Sequence, residues 1–286
     1  MERALLTKRL ILRCIDLPAS RGVTILFWNR FNFCCCLLVG SLFGILPTTV
    51  TAAEWGTLTG QFIYTGQVPQ PEQLDISRDE AICGKFSDLI VDQGLVTGKK
   101  GELQNVFIYL RESNLEESQI HNDYLKLPET VTIQNKGCIF QPHVAGLWVN
   151  RQKLLAENKD LCAHGFQVKA YRNTSLNQVL PPGQEMLHTF EYGEKLPLRM
   201  SCSIHPWQEG WLVALNHPYF ATTDERGRFT IKNLPVGEWE FQLWQEKAGY
   251  LAARPEWKRG RIKMKIAPGE NDLGVIKVSP AVFAGK

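Results

Sequence analysis

Three side chains with metal-binding donor atoms lie in two short segments of this chain. Cys202 and His205 belong to the run Cys-Ser-Ile-His-Pro-Trp-Gln, and His164 ends the upstream run Asn-Lys-Asp-Leu-Cys-Ala-His. One thiolate and two imidazoles arriving from separate strands are the donors of a trigonal type 1 copper site. Copper is favoured over structural zinc because closed zinc sites usually use two or more cysteines. These residues therefore predict a site for one copper ion that cycles between Cu(I) and Cu(II).

Two further side chains are candidates for the same ion. Gln208 offers an amide oxygen as a weak axial donor, and such a donor favours Cu(II) and lowers the reduction potential. His143, which follows Gln-Pro, is interpreted either as an additional donor or as a residue that orients the site. The alternative for His143 is a partly buried histidine hydrogen-bonded to a backbone carbonyl.

The first 53 residues have the pattern of an export signal. A basic amino-terminal stretch precedes an apolar run over 31–46, and small residues at Val50, Thr51 and Ala52 favour cleavage near Ala52 or Ala53. The alternative is an uncleaved amino-terminal anchor. Cleavage would leave no membrane span and predicts a periplasmic or secreted protein.

Charge and motifs exclude several functions. Of the 32 basic and 29 acidic residues, six and two respectively lie before residue 54, so the remainder is close to neutral and offers no electrostatic basis for binding nucleic acid. The sequence has no Gly-x-Ser-x-Gly elbow, no His-Glu-x-x-His helix and no phosphate loop. We therefore predict no catalytic residues and no enzymatic activity.

Four cysteines remain after residue 53, namely Cys83, Cys138, Cys162 and Cys202. Disulfides are the default in an exported protein. If Cys202 binds metal, one of the other three is unpaired. We expect a Cys83–Cys138 disulfide, because both lie beside strand-like segments and Cys162 is close to His164. The alternative is a structural protein with two disulfides and no metal.

The pattern of short apolar runs predicts an all-β protein. Runs rich in Val, Ile, Phe and Trp alternate with turns that contain many of the 23 glycines and 15 prolines. This spacing is typical of a β-sandwich or a Greek-key barrel. The segments that carry His164 and Cys202 should then meet at one pole of the sandwich.

Four segments carry a resemblance to a known family: 137–144, 158–164, 202–207 and 217–229. They resemble exported cupredoxin-like proteins that are often labelled methylamine-utilisation proteins, and the similarity covers nearly all of the chain after residue 53. The resemblance implies a cupredoxin-like Greek-key fold in which His164, Cys202 and His205 bind copper. The chain departs from the family at Gly165, where Asn usually ties the ligand loops together, and at Gln208, where Met is usual. We expect the Gly165 change to loosen the site and the Gln208 change to alter its reduction potential.

The carboxy-terminal segment resembles a second family. Residues 224–244 read as two hairpin strands and resemble a carboxypeptidase-regulatory-like β-sandwich of the Ig/transthyretin-like kind, as do residues 55–69. We therefore expect a signal peptide at 1–53, an amino-terminal β segment at 54–102, a cupredoxin-like copper domain at 103–218 and a carboxypeptidase-regulatory-like module at 219–286. The first strand of the amino-terminal segment should pair with the last module.

Two functions of different classes follow. The first is a mononuclear blue copper protein that exchanges one electron at a time with a redox protein partner. The alternative is a metal-free β-sandwich that binds a glycan or a protein at the cell envelope.

Overall fold

The computed structural model describes residues 54–284, and the expected signal peptide lies outside the described residues. Strands form nearly all the regular structure, so the all-β class is confirmed. In chain order the strands are β1 (Trp55–Tyr64), β2 (Phe107–Leu110), β3 (Thr130–Asn135), β4 (Phe140–Gln141), β5 (Val144–Trp148), β6 (Lys153–Asn158), β7 (His164–Val168), β8 (Leu176–Leu180), β9 (Glu185–His188), β10 (Leu198–Ser201), β11 (Glu209–Leu215), β12 (Phe220–Thr222), β13 (Arg228–Pro235), β14 (Gly237–Gln245), β15 (Gly249–Tyr250), β16 (Arg261–Ile266) and β17 (Gly269–Val278).

Helical structure is sparse between residues 54 and 284. One short helix, α1 (Glu80–Cys83), continues into a 3₁₀ segment at Gly84–Leu89. Further 3₁₀ turns lie at Glu117–Gln119, Asn122–Lys126, Lys258–Gly260 and Pro280–Val282. In this part of the chain no helix has the length and apolar character needed to cross a membrane.

One sandwich is built from strands near both ends of the described chain. Its first sheet has the order β13-β1-β17, with β1 antiparallel to β13 and parallel to β17. Its second sheet has the order β12-β2-β14-β15, and β16 pairs with β14. Alternate residues of β1 are buried, including Leu58 and Phe62, as expected for a strand with one face on a core. Although β2 lies within the range expected for the copper domain, its hydrogen-bonded neighbours are β12 and β14.

The second sandwich is formed by β3 to β11 and carries the candidate metal ligands. Its sheets have the orders β5-β11-β10-β7-β8 and β4-β3-β6-β9. Phe140, Phe166, Phe190 and Met200 lie in the fully buried core between them. Because aromatic and branched side chains bury large apolar areas, this core supplies the main stabilisation of the sheet that carries the ligands.

The two sandwiches share an apolar contact. Phe107 and Trp244 of the first pack with Val144 and Val213 of the second. The rings of Trp211 and Trp244 lie 4.9 Å apart between centroids. The sandwich built from the chain ends therefore supports one face of the ligand-bearing sheet.

Candidate metal centre

Neighbouring antiparallel strands bring the two ligand segments together. β7 begins at His164, while β10 ends at Ser201, immediately before Cys202. The strands pair through Ser201 opposite Gln167. Since the start of one antiparallel strand lies beside the end of its neighbour, His164 and Cys202 reach the same end of the sheet.

A closed loop places the remaining candidate donors. After Cys202 the backbone turns back, so that the Gln208 N–H donates to the His205 carbonyl (3.1 Å) and the Cys202 N–H donates to the Gln208 carbonyl (3.2 Å). Cys202, His205 and Gln208 therefore lie on one tight turn. A short turn of this kind restricts where their side chains can point.

The predicted ligands converge. Donor atoms of His164, Cys202 and His205 all lie within 4.8 Å of one another, and Cys202 Sγ is 3.5 Å from His205 Nδ1. Both imidazoles are fully buried, and their centroids are 4.5 Å apart. This donor set of one sulfur and two ring nitrogens fits a type 1 copper ion.

Gln208 also faces this group of donors. Its amide nitrogen donates to Asn135 Oδ1 at 2.6 Å, and its Oε1 lies 3.0 Å from His164 Nδ1. Gln208 is almost fully buried. Because the amide nitrogen of Gln208 donates to Asn135, its side-chain oxygen Oε1 is the atom that points toward the site.

A carboxylate holds the far nitrogen of each imidazole. His164 Nε2 lies 2.9 Å from Asp160 Oδ2, and His205 Nε2 lies 3.0 Å from Asp79 Oδ2. A carboxylate that accepts the Nε2–H keeps that proton on Nε2 and makes Nδ1 the nitrogen that can bind a metal. Both rings are thus oriented so that Nδ1 faces the interior of the site.

Asp160 is itself held in place by backbone donors. The N–H groups of Gly137 and Cys138 donate to its two oxygens at 2.7 and 2.9 Å, and both residues have positive φ angles of 69° and 59°. Burial raises the pKa of Asp160, but the hydrogen bonds from His164, Cys138 and Gly137 outweigh it and hold the pKa below its ordinary value. The carboxylate is therefore ionised at neutral pH.

The motif Asn158-Lys-Asp160 has a structural explanation. The Asn158 amide nitrogen donates to the carbonyls of Cys162 and Leu180, both at 2.8 Å, and its oxygen accepts from the Asp160 N–H at 3.0 Å. Asn158 thereby shapes the loop that carries Asp160 to His164.

The surroundings of Cys202 favour its thiolate. The Gly165 and His205 N–H groups donate to Cys202 Sγ at 3.1 and 3.3 Å. Burial raises the pKa of Cys202, but hydrogen bonds from the two histidine side chains and from the backbone lower it to about 6. For His164, burial lowers the pKa, while Asp160 and Cys202 raise it to about 9. The two groups thus favour each other's charged form, a thiolate beside an imidazolium.

Gly165 brings the two ligand loops together, contrary to the expectation that it would loosen the site. A Cβ at this position would lie 2.6 Å from the Ser203 nitrogen and 2.2 Å from its Oγ. The absence of a side chain lets the Gly165 N–H reach Cys202 Sγ directly. A backbone hydrogen bond therefore links the two ligand loops at this position.

A segment near α1 covers the site. Asp79 precedes α1, and Cys83 at its end forms a disulfide with Cys138, the pair expected from the sequence. Trp207 donates from Nε1 to the Cys138 carbonyl at 3.0 Å, and its ring lies 4.9 Å from that of His205. His205 is consequently shielded from solvent on this side by a carboxylate, a disulfide and an indole.

His143, predicted as a possible ligand, lies outside the group of donors. His143 pairs with Glu246 of the other sandwich, with His143 Nε2 2.5 Å from Glu246 Oε2, and it belongs to none of the donor groups found within residues 54–284. It therefore joins the two sandwiches. Cys162 is an unpaired, buried thiol whose Sγ lies 3.6 Å from His164 Nε2 and 3.9 Å from Cys83 Sγ.

Sequence reasoning assigned no role to Asp79 or Asp160. Asp160 carries a recognisable signal, since it lies four residues before His164 in a loop closed by Asn158. Asp79 carries none, because it lies 126 residues from His205 and its segment has no strand pattern.

No family model matches the chain, and no curated protein matches it in sequence. Solved structures include similar chains. A copper-containing nitrite reductase from Thermus scotoductus SA-01 is 23% identical over 31% of this chain and 23% of its own, with a TM-score of 0.28. A purple cupredoxin from Nitrosopumilus maritimus is 21% identical over 29% of this chain and 97% of its own, with a TM-score of 0.25.

A Cu(I) form of an amicyanin variant is 16% identical over 30% of this chain and 82% of its own, with a TM-score of 0.27. The matched part of this chain spans less than a quarter of the nitrite reductase. All three TM-scores are below 0.5, so the similarity to these chains says nothing about the site.

Proposed function

We propose that this protein is an exported mononuclear type 1 copper protein of the cupredoxin-like kind, acting in one-electron transfer rather than in enzymatic catalysis. The observation that carries the proposal is the convergence of Cys202, His164 and His205 within 4.8 Å. Copper bound there would supply one-electron redox chemistry. Gln208 Oε1 is the axial donor in this proposal.

The buried surroundings support electron transfer over substrate chemistry. Both imidazoles are fully buried and Cys202 is 6% exposed, so an organic substrate has no direct route to an ion held by them. The carboxylates of Asp79 and Asp160 orient both rings. Ligands that are positioned in advance reorganise little when an ion changes its charge, as an electron carrier requires.

The partner is proposed to be a redox protein that docks near Trp207. His205 is fully buried, whereas Trp207 is partly exposed and contacts its ring. The indole therefore offers an aromatic path between this imidazole and the surface. The signal-like residues 1–53 support a periplasmic or secreted location. The sandwich of β1, β2 and β12 to β17, which lacks the proposed ligands, would act as a carboxypeptidase-regulatory-like support.

Titration with Cu(II) tests the proposal. The purified protein should develop an intense visible band from thiolate-to-copper charge transfer. Cys202→Ser should abolish the band, whereas the matched control Cys162→Ser should retain it, since Cys162 is a buried thiol outside the proposed ligand set. A colourless protein, or a band that survives Cys202→Ser, would contradict the copper function and favour the metal-free binding module.

A further inference from the structure

A second group of sulfur atoms lies on the other side of the two imidazoles. Cys83, Cys138 and Cys162, here called the sulfur triad, are all buried. Cys162 Sγ lies 3.9 Å from Cys83 Sγ, and the donor atoms of Cys138, Cys162 and His164 lie within 4.8 Å of one another. None of the three sulfurs takes part in the proposed electron-transfer site.

The spacing of the triad fits a metal ion. With metal–sulfur bonds of about 2.3 Å, a planar three-sulfur site has sulfurs about 4.0 Å apart. The separation between Cys83 Sγ and Cys162 Sγ, 3.9 Å, is close to this value, and Cys138 Sγ lies within 4.8 Å of Cys162 Sγ. The disulfide bond between Cys83 and Cys138 keeps the third pair of sulfurs too close together to bind one ion.

We infer that reductive opening of the Cys83–Cys138 disulfide creates a second metal site, in which Cys83, Cys138 and Cys162 bind one Cu(I) ion. Three sulfur ligands form a soft donor set of the kind that binds Cu(I). Zinc sites in proteins are almost always four-coordinate, so a planar site of three sulfurs suits Cu(I) better than zinc. The inference uses a different set of ligands from the proposed function and does not depend on it.

The chemical step is a two-electron reduction by a dithiol. The dithiol transfers two electrons and two protons to the Cys83–Cys138 bond, which breaks into two thiols, and the dithiol closes its own disulfide. Cu(I) keeps its oxidation state when it binds. Each cysteine sulfur that coordinates it releases its proton to the buffer.

Apolar side chains enclose the sulfur triad. Ile82, Ile139 and Trp207 pack around the sulfurs and limit the access of water. Cys162 Sγ lies 3.6 Å from His164 Nε2, and Cys83 Sγ lies 3.9 Å from His205 Nε2. The triad thus faces the Nε2 edges of the same rings whose Nδ1 atoms are directed into the first site.

Copper stoichiometry in a Cys202→Ser background tests the inference, because this variant lacks the thiolate of the first site. The compact unit Val50–Lys286 encloses every described strand, so protein beginning at Val50 is suitable, and it also lacks the cysteines at positions 14 and 34–36. Anaerobic protein is loaded with Cu(I) in the presence of a competing chelator, either directly or after reduction by an immobilised dithiol. Reduction should raise the retained copper from none to one ion per chain.

Variants identify the ligands. Adding Cys162→Ser to the Cys202→Ser background should abolish the copper gained on reduction, while the matched change Ser201→Ala should preserve it. If reduction adds no copper, or if the gain survives Cys162→Ser, the second site is refuted.

X-ray absorption provides a readout that does not depend on folding of the Cys162 variant. Copper in the reduced Cys202→Ser protein should show only sulfur neighbours, at about 2.3 Å. A shell of nitrogen or oxygen neighbours would overturn the inference. Because this variant lacks Cys202, neither result bears on the blue copper site, which the Cu(II) titration tests separately.

Discussion

The Asp79 carboxylate lies 3.0 Å from His205 Nε2, although 126 residues separate them in the chain. Asp160 makes the equivalent contact with His164 at 2.9 Å from only four residues away. Each imidazole of the candidate site therefore has a carboxylate on its outer nitrogen. One carboxylate comes from the ligand loop itself, and the other comes from the segment that covers the site.

Asp79→Asn should weaken copper binding about tenfold to a hundredfold, the usual effect of removing a carboxylate that orients a ligand histidine. The amide no longer holds the Nε2–H with a full negative charge, so the Nδ1 lone pair is less basic and less well aimed. Competition titration with a copper chelator measures the change. Asp75→Asn, an exposed carboxylate in the same segment, should leave the affinity unchanged, and equal effects of both variants would refute the orienting role.

Copper affinity should rise with pH between about pH 6 and pH 9. The pKa of His164 is raised to about 9 and that of Cys202 is lowered to about 6, so in this window the metal-free site holds a thiolate and one proton on His164. Copper must displace that proton, and the affinity should therefore increase about tenfold per pH unit. Above pH 9 the proton is already absent and the increase should level off. Chelator competition across this range measures the slope, and an affinity independent of pH from 7 to 8.5 would contradict the proton assignment.

Gly165→Ala should destabilise the protein by about 1–3 kcal/mol, the usual cost of overpacking a tight contact. The added methyl group would approach the Ser203 backbone nitrogen to 2.6 Å and push the two ligand loops apart. Denaturant unfolding measures the loss, and the charge-transfer band should shift as the Gly165 N–H moves away from Cys202. Gly84→Ala is the matched control, because its Cβ would meet only an ordinary contact at 3.7 Å. Equal stability of the two variants would show that the loop contact is not strained by a side chain.

Gln208→Met should raise the reduction potential of the copper form. The substitution replaces an amide oxygen, which favours Cu(II), with a thioether that favours Cu(I). It also removes the hydrogen bond to Asn135, so the thermal stability must be measured alongside the potential. Gln178→Met, on an exposed position of β8, should leave the potential unchanged. An unaltered or lower potential in Gln208→Met would argue against an axial role for this residue.

The sequence predicts the strands that carry the site but not how those strands pair. The pattern of short apolar runs predicts the strands well, because apolar residues alternate along a strand that has one buried face, as they do in β1. The pairing of strands is different: β2 joins β14 across more than one hundred residues, and no local pattern specifies that partner. His143 illustrates the same difficulty, since its contact is Glu246 of the other sandwich.

Residue types and local spacing in the sequence by themselves determined the all-β class and the candidate donors His164, Cys202, His205 and Gln208. Those properties are local, because donor chemistry belongs to the side chain and burial alternates along each strand. Only the tertiary structure decided that Asp79 reaches His205, that Gly165 links the ligand loops, and that Cys162 lies beside the Cys83–Cys138 disulfide. Such contacts join segments far apart in the chain, and they depend on how two sheets and a covering segment pack in three dimensions.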